Sequence, residues 1–297
     1  LGDVYKRQIF NFVLPGYLLS YSAFLRRYQD GTDAEDLRRR ISPFLMRRLK
    51  RGVLTELPDK IESVFTAQMS PEQAKVYEAT MMRLRQRVDS IVKEKGFERG
   101  RTEVLAAITQ LREICCHPSL VLDDYTGTSG KLDMLLDMLP EAIAKGRRVL
   151  LFSAFTSMLK ILRRELDDAG YETMYLDGDT PAQRRVEMAE QFNAGQGQIF
   201  LISLKAGGTG LNLTGADMVI HYDPWWNPAA EDQATDRAYR IGQTRKVEVI
   251  RLVTHASIEE QVVALGQRKK ALFDQLIKPG ESMVGGLSPQ EIMSLFQ

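Results

Sequence analysis

From residue 149 onward the chain repeats one pattern: a short, mostly apolar run, a polar loop, and a stretch with helical periodicity. The runs are Val149 to Phe152, Glu172 to Leu176, Gln198 to Ser203, Met218 to Tyr222 and Val247 to Val253. Helical periods fill Thr156 to Ala169, Pro181 to Asn193, Pro228 to Ile241 and Ile258 to Ile277, the last opened by Ser257, which forms a capping box with Glu260. Apolar runs of this length suit strands buried on both faces. Their alternation with helices restricts this half to an α/β fold, a parallel sheet with helices on both faces. Ligands of such sheets gather at the carboxyl ends of the strands, so the loops that follow each run are the place to look for chemistry.

The preceding residues read differently. Asp33 to Arg48 is helical in pattern, and Arg38, Arg39, Arg40, Arg47, Arg48, Lys50 and Arg51 form a basic run with no acid among them. Such a run serves equally as a solvated helix face or as a phosphate-facing one. Ser70-Pro71-Glu72-Gln73 opens a helix to about Lys95, and another is expected from Thr102 to Cys116, ended by His117-Pro118. The loop Asp123 to Gly130 marks a boundary. The expected organisation is a mostly helical segment over 1–127, an α/β domain over 128–278 and a tail over 279–297, where Ser288 with Glu291 suits a short helix cap.

With 297 residues, two domains are the expectation, and 44% hydrophobic with 27% charged residues fits a globular chain. No apolar stretch approaches the roughly 18 residues of a membrane span, so no membrane role is expected. Two adjacent cysteines, Cys115 and Cys116, cannot build a disulfide framework, and without a secretory leader a reducing cytoplasm is the expected setting. The chain begins at Leu1, and its first element already looks internal, so it reads as a fragment.

Four loops stand out. SLKAGGTGLNLTGAD, residues 203–217, sets Gly207, Gly208 and Gly210 around Thr209, where backbone amides can approach an anion; it lacks the ending of a Walker A loop, and such turns are more often only turns. In DPWWNPAAEDQATDRAYRIGQTR, residues 223–245, Asn227 caps and Pro228 starts a helix. Helical spacing aligns Gln233, Arg237 and Arg240 on one face and Ala230, Ala234, Ala238 and Ile241 on the buried one, with ion pairing to Glu231, Asp232 and Asp236 as the ordinary alternative. The hydroxyls of Ser153 and Thr180, in the other two loops, suit phosphodiester oxygens as well as helix caps. Trp225 and Trp226 read as a lid on the core or as a stacking surface for nucleic acid. His221 and His255 read as structural or surface residues.

The succession LLFSAFTSML, YLDGDTPAQRR, FLISLKAGGTGLNLTGAD and WNPAAEDQATDRAYRIGQ resembles motifs four to six of the Swi/Snf-type ATPases of helicase superfamily two. FLMRRLKRGVLTELPDK and QLREICCHPSL resemble the stretch linking that family's two RecA-like lobes, so the likeness spans about residues 9–277 and leaves out residues 1–8. It implies a RecA-like lobe preceded by an inter-lobe segment, with ATP and Mg2+ bound between lobes and the Walker lysine and magnesium ligands on a first lobe outside this sequence. It further implies that Arg237 and Arg240 reach the terminal phosphates, that Gln233 orients them, and that Gly208 and Gly210 abut the nucleotide. Ser153, Gly178, Thr180, Lys205, Gly207 and Trp226 match positions facing the DNA backbone, and Cys115-Cys116-His117 matches packing rather than a metal site. The activity implied is translocation along double-stranded DNA, displacing bound proteins, by an enzyme of the cytoplasm or bacterial nucleoid; this part by itself is expected to be inactive. A nucleic-acid-binding module without turnover, a strand-separating helicase and an unrelated phosphate-binding α/β enzyme are the rival readings.

Overall fold

A computed structural model describes residues 10–28, 34–44, 57–206, 210–276 and 293–296. The chain divides into two compact units, residues 1–55 with 270–287 and residues 56–269 with 288–297. In the smaller unit, helices α1 (Tyr21–Tyr28) and α2 (Ala34–Ile41) bring Phe10, Leu18, Phe24 and Ile41 into one apolar cluster. Asp36 joins them, accepting from Tyr28 Oη at 2.7 Å and Arg40 Nε at 3.0 Å. Arg47, Arg48, Lys50 and Arg51 lie outside the described residues, as do Ser288 and Glu291.

The larger unit begins with strand β1 (Lys60–Ala67) and the helical pair α3 (Pro71–Lys95) and α4 (Phe97–Cys116). There follow α5 (Gly130–Ala144), β2 (Val149–Ser153), α6 (Thr156–Asp168), β3 (Thr173–Leu176), α7 (Ala182–Asn193), β4 (Ile199–Ser203), β5 (Met218–His221), α8 (Pro228–Thr235), β6 (Val247–Thr254) and the part of α9 (Ile258–Leu276) up to residue 269. The strands form one sheet in the order β1-β6-β5-β2-β4-β3, every neighbour parallel. The expected α/β architecture is therefore present. Strand period two divides the apolar side chains between the faces. Leu151, Leu201, Ile220 and Ile250 pack toward α5 and α6, whereas Leu150, Phe152, Phe200 and Val219 pack toward α7 and α8. All eight are buried, and each contributes about 1.5–3 kcal/mol by leaving water.

Two features differ from the sequence reading. First, β1 pairs with β6 from Lys60↔Val247 to Ala67↔Thr254, so that β1, α3 and α4 belong to the same compact unit as the rest of the sheet. The sequence KIESVFTA lacks the apolar run of a central strand because β1 is an edge strand, half of it open to solvent. Second, Ser257 and Glu260 do not close a capping box. Ser257 Oγ accepts from Glu259 N at 3.2 Å, while the Glu260 carboxylate turns to His255 Nδ1 at 3.1 Å.

Helix α3 starts as expected, with Ser70 Oγ accepting from Gln73 N at 3.2 Å and Pro71 in the first turn. The buried Gln73 amide donates to the Ile114 carbonyl at 2.9 Å, and its oxygen accepts from Gly130 N at 3.0 Å, tying α3 to α4 and α5. Gly130 is dictated by close approach, since a Cβ there would lie 1.6 Å from the Gln68 carbonyl oxygen. Leu295 and Phe296, near the end of the chain, are buried beside Tyr77, Met81 and Ile258. No helix among the described residues is long and apolar enough to cross a membrane.

Candidate functional site

The loops at the carboxyl ends of β2 and β5 are held together by one carboxylate. Asp223, buried, accepts from Ser153 Oγ, from Ala154 N at 3.1 Å and from Arg112 Nη2 at 3.3 Å. Ser153 Oγ also accepts from Phe155 N at 3.1 Å, so this buried hydroxyl is engaged inside the fold rather than presented to a ligand. In the loop after β3, Gly178 is exposed, and Thr180 Oγ1 is turned inward, donating to Asp177 Oδ1 at 3.3 Å and accepting from Asp177 N at 3.2 Å. Arg185 fixes the same loop by donating to the carbonyls of Thr180 and Gly178 at 2.7 and 2.8 Å. Bonding to Tyr175, Thr180 and backbone amides outweighs partial burial and lowers the Asp177 pKa.

After β4, Lys205 is exposed. Gly207 and Gly208 lie outside the described residues. Gly210 is exposed at φ +71°, a backbone that favours glycine, with open space where a side chain would stand. Its carbonyl accepts from Arg240 Nη1 at 3.3 Å, and Leu213 N donates to the Arg237 carbonyl at 3.0 Å. The glycine-rich loop and the arginine segment therefore meet.

Their meeting depends on how α8 ends. Asn227 Oδ1 accepts from Ala229 N at 3.1 Å and Pro228 opens the helix, as its sequence requires. It stops at Thr235 rather than continuing to Ile241, because Asp236 caps it and turns follow. The single helical face expected for Gln233, Arg237 and Arg240 does not form. Gln233 is exposed in the last turn, Arg237 is only 8% exposed, Arg240 is exposed, and Ile241, expected in the buried stripe, is 70% exposed. Ala234 and Ala238 do pack on the sheet. Burial and then the neighbouring Arg240 charge lower the Arg237 pKa, against the opposing pull of Asp236, so two like charges share this corner.

Gln243, which the sequence did not single out, and several residues that it did single out complete the surroundings of the site. Gln243, buried, donates through Nε2 to the carbonyls of Ala216 at 2.7 Å, Ala238 at 3.1 Å and Thr214 at 3.2 Å, locking the arginine turns to the glycine-rich loop. Glu231 accepts from Trp225 N at 2.7 Å and Arg251 Nε at 2.8 Å; its pKa is raised because burial outweighs both. His221 sits buried against Phe152, with Nε2 2.9 Å from Thr235 Oγ1. Burial, reinforced by the Arg251 charge, pushes its imidazole down to about 3, so it is a neutral structural residue. Cys115 and Cys116 are buried free thiols whose pKa values are pushed up by burial, and His117 Nδ1 faces Ser119 Oγ at 2.7 Å. Among the described residues no three His, Cys, Asp or Glu side chains are grouped to hold a metal ion.

A six-stranded parallel sheet whose strand-end loops carry paired arginines, a glycine-rich turn and a tryptophan pair defines a RecA-like helicase lobe. The helicase conserved C-terminal domain matches residues 130–242, and the SNF2-related domain matches residues 1–120. The chain is 38% identical over 303 residues to a putative ATP-dependent helicase/translocase, YwqA, of Bacillus subtilis, covering 97% of this chain and 32% of that protein. It thus spans about a third of the length of this curated relative. The Sulfolobus solfataricus SWI2/SNF2 ATPase core in complex with dsDNA superposes with TM-score 0.65 at 34% identity, covering 97% of this chain and 62% of that one. The C-terminal domain of the Sulfolobus enzyme gives 0.62 at 29% identity, covering 80% and 98%. The chain belongs to the SNF2 (Swi/Snf) family of helicase-like proteins.

Proposed function

We propose that this chain supplies the second lobe and inter-lobe segment of an ATP-dependent translocase that moves along double-stranded DNA and displaces proteins bound to it. The reading is carried by one observation: Arg240, open to solvent, reaches the Gly210 carbonyl with Arg237 close enough to feel its charge. Two guanidiniums beside an open glycine backbone suit an anion rich in equatorial oxygens. ATP would supply the phosphoryl group, and a first lobe with a Walker lysine would hold it together with Mg2+. From this chain, Arg240 would meet the terminal phosphates, Arg237 would raise the positive potential behind it, and Gly208 and Gly210 would allow close backbone approach. Gln233, exposed one turn away, would complete the rim.

Lys205, Gly178, Thr180 and Trp226 lie in strand-end loops suited to a DNA backbone, with Ser153 bracing the loop of Trp226 from inside through Asp223; Gly207, which follows Lys205 closely in the sequence, would join them. Contacts of this kind hold phosphates rather than base edges, so sequence preference should be low and salt dependence steep. The test combines this chain with a first lobe bearing the Walker lysine and measures duplex-stimulated phosphate release. The combination is expected to be active and the chain alone silent. Arg240→Gln should lower turnover by roughly 10³-fold or more while leaving duplex affinity in place. Release by the chain alone, or an Arg240→Gln enzyme at full rate, contradicts the two-lobe reading. Triplex displacement without unwinding of a forked duplex is expected, and the reverse result favours a strand-separating helicase.

A further inference from the structure

Arg112 lies on α4, far in sequence from the strand-end loops, yet its side chain ends among them. The residue is 1% exposed. Nη2 donates to the Pro224 carbonyl at 2.7 Å and to Asp223 Oδ2 at 3.3 Å, and the pair with Asp223 is buried on both sides. The guanidinium carbon lies 5.2 Å from the ring centroid of Phe155, 5.2 Å from that of Trp225 and 5.1 Å from that of Trp226. Three aromatic rings from two loops thus surround one planar cation. Its Nε has no hydrogen-bond partner, so the aromatic surroundings rather than an oxygen receive that edge.

The arrangement is selective in what it fixes. The Asp223 carboxylate already joins the β2 and β5 loops through Ser153 and Ala154. The hydrogen bonds and ring contacts of Arg112 go to residues 155 and 223–226, in the loops that precede α6 and α8. Trp225 and Trp226 are half-buried, and Trp225 also packs against the core cluster on the α7 and α8 side of the sheet. A lysine in this position would keep the charge and lose the plane on which the indoles rest.

We infer that Arg112 is a positioning residue for nucleic-acid engagement: from the inter-lobe segment it sets the orientation of Trp226, and through it the surface that meets the DNA backbone. The inference rests on the DNA-translocase reading above for what Trp226 touches, but the positioning itself is a property of the free chain. It also makes α4 a mechanical input to the interface, since a shift of that helix moves the cation on which both indoles rest.

Trp225 and Trp226 are the two tryptophans of the sequence, so tryptophan spectroscopy reports this cage and nothing else. Arg112→Lys in the full chain is expected to change the near-ultraviolet circular dichroism of the indoles and to raise their quenching by acrylamide, with far-ultraviolet dichroism unchanged. Fluorescence-anisotropy titration with a labelled random-sequence duplex should show affinity weakened about tenfold, the loss expected for a desolvated cation–aromatic arrangement. In a Trp226→Ala background the same substitution should weaken binding no further, whereas a merely structural role gives additive losses. A wild-type indole spectrum in Arg112→Lys, unchanged duplex affinity, or additivity in the cycle overturns the inference. If Arg112→Lys does not fold, Phe155→Leu removes one wall of the cage and leaves the Asp223 pair, and the same spectral shift and non-additivity are required of it. A wild-type chain that binds no duplex refutes the DNA reading alone, and the indole spectra of the free variants still decide the positioning.

Discussion

Gln243 offers the most direct test of how the arginine corner is built. Its amide nitrogen faces the carbonyl oxygens of Ala216, Ala238 and Thr214 at 2.7, 3.1 and 3.2 Å, and its oxygen accepts from Arg245 N at 2.9 Å. Gln243→Ala removes all of these at a site 6% exposed to solvent. Ala238 O keeps the Arg240 N–H at 3.2 Å, but Ala216 O and Arg245 N lose the partners they have here. A buried polar group left unpaired costs about 1–3 kcal/mol, and with the Arg245 N–H only part-buried and costing less, a loss of about 2–5 kcal/mol is expected. In a unit running from residue 56 to 269, that corresponds to a Tm lowered by about 5–15 °C. Gln243→Glu sharpens the test, because it preserves volume but turns the donor into an acceptor facing three carbonyls. If the residue acts as a donor, stability must fall in the order Gln, Ala, Glu, as measured by urea and thermal unfolding followed by circular dichroism. A glutamate variant more stable than the alanine variant would mean that Gln243 only fills space, and the clamp between the two loops would be refuted.

Two further perturbations probe the supports beneath the site. His221 is held neutral, with burial and the Arg251 charge pushing it down to about 3, while an unfolded imidazole titrates near 6.5. Above the unfolded value neither state is protonated and the residue is indifferent. Below it the unfolded chain takes the proton first, so stability falls by about 1.4 kcal/mol per pH unit, or about 2 kcal/mol by pH 5. His221→Gln should flatten that slope between pH 7 and 5; urea midpoints that drop equally in both proteins count against it. Lys131 donates to Glu259 Oε1 at 2.6 Å and to the Tyr222 carbonyl at 3.0 Å with both charged side chains fully buried. Lys131→Met should cost about 3–5 kcal/mol by stranding the carboxylate, and adding Glu259→Gln should recover most of it; a double variant as unstable as the single one would show that the pair is not the source of the loss.

The sheet was legible because its central strands carry their own evidence. Val149 to Phe152 and Ile199 to Ser203 are apolar at every position but the last serine, a composition that only burial on both faces accommodates. Edge strand β1 gave no such signal. Lys60, Glu62 and Ser63 are compatible with loop, helix or strand, and what makes the segment a strand is the ladder offered by β6, whose residues stand 187 positions further along the chain. The same long range keeps the packing across residue 128 out of reach of the sequence: a loop of glycines, threonines and aspartates marks a turn, but which segments pack together on either side of it depends on contacts that flank it.

At the site, the loops that meet were legible and their geometry was not. The spacing of Gln233, Arg237 and Arg240 fits one helical face, and a helix continued to Ile241 would have set both arginines side by side. Asp236 ends that helix early, and the turns that follow separate the two roles: Arg237 goes under the surface, where burial lowers its pKa, and Arg240 reaches out to Gly210. Early termination is favoured by tertiary partners that no local propensity encodes, since Gln243 holds the Ala238 carbonyl from one side and Leu213 N holds the Arg237 carbonyl from the other. Two arginines at different depths also divide the electrostatics usefully. The buried charge is poorly screened and acts as a fixed potential, whereas the exposed one keeps the freedom to follow a phosphate. Neutralising Arg237 should therefore weaken anion binding with little change in its salt dependence, and neutralising Arg240 should lower both, a difference that nucleotide titrations of the reconstituted enzyme at two ionic strengths would read; equal salt slopes for the two variants would refute this division of labour.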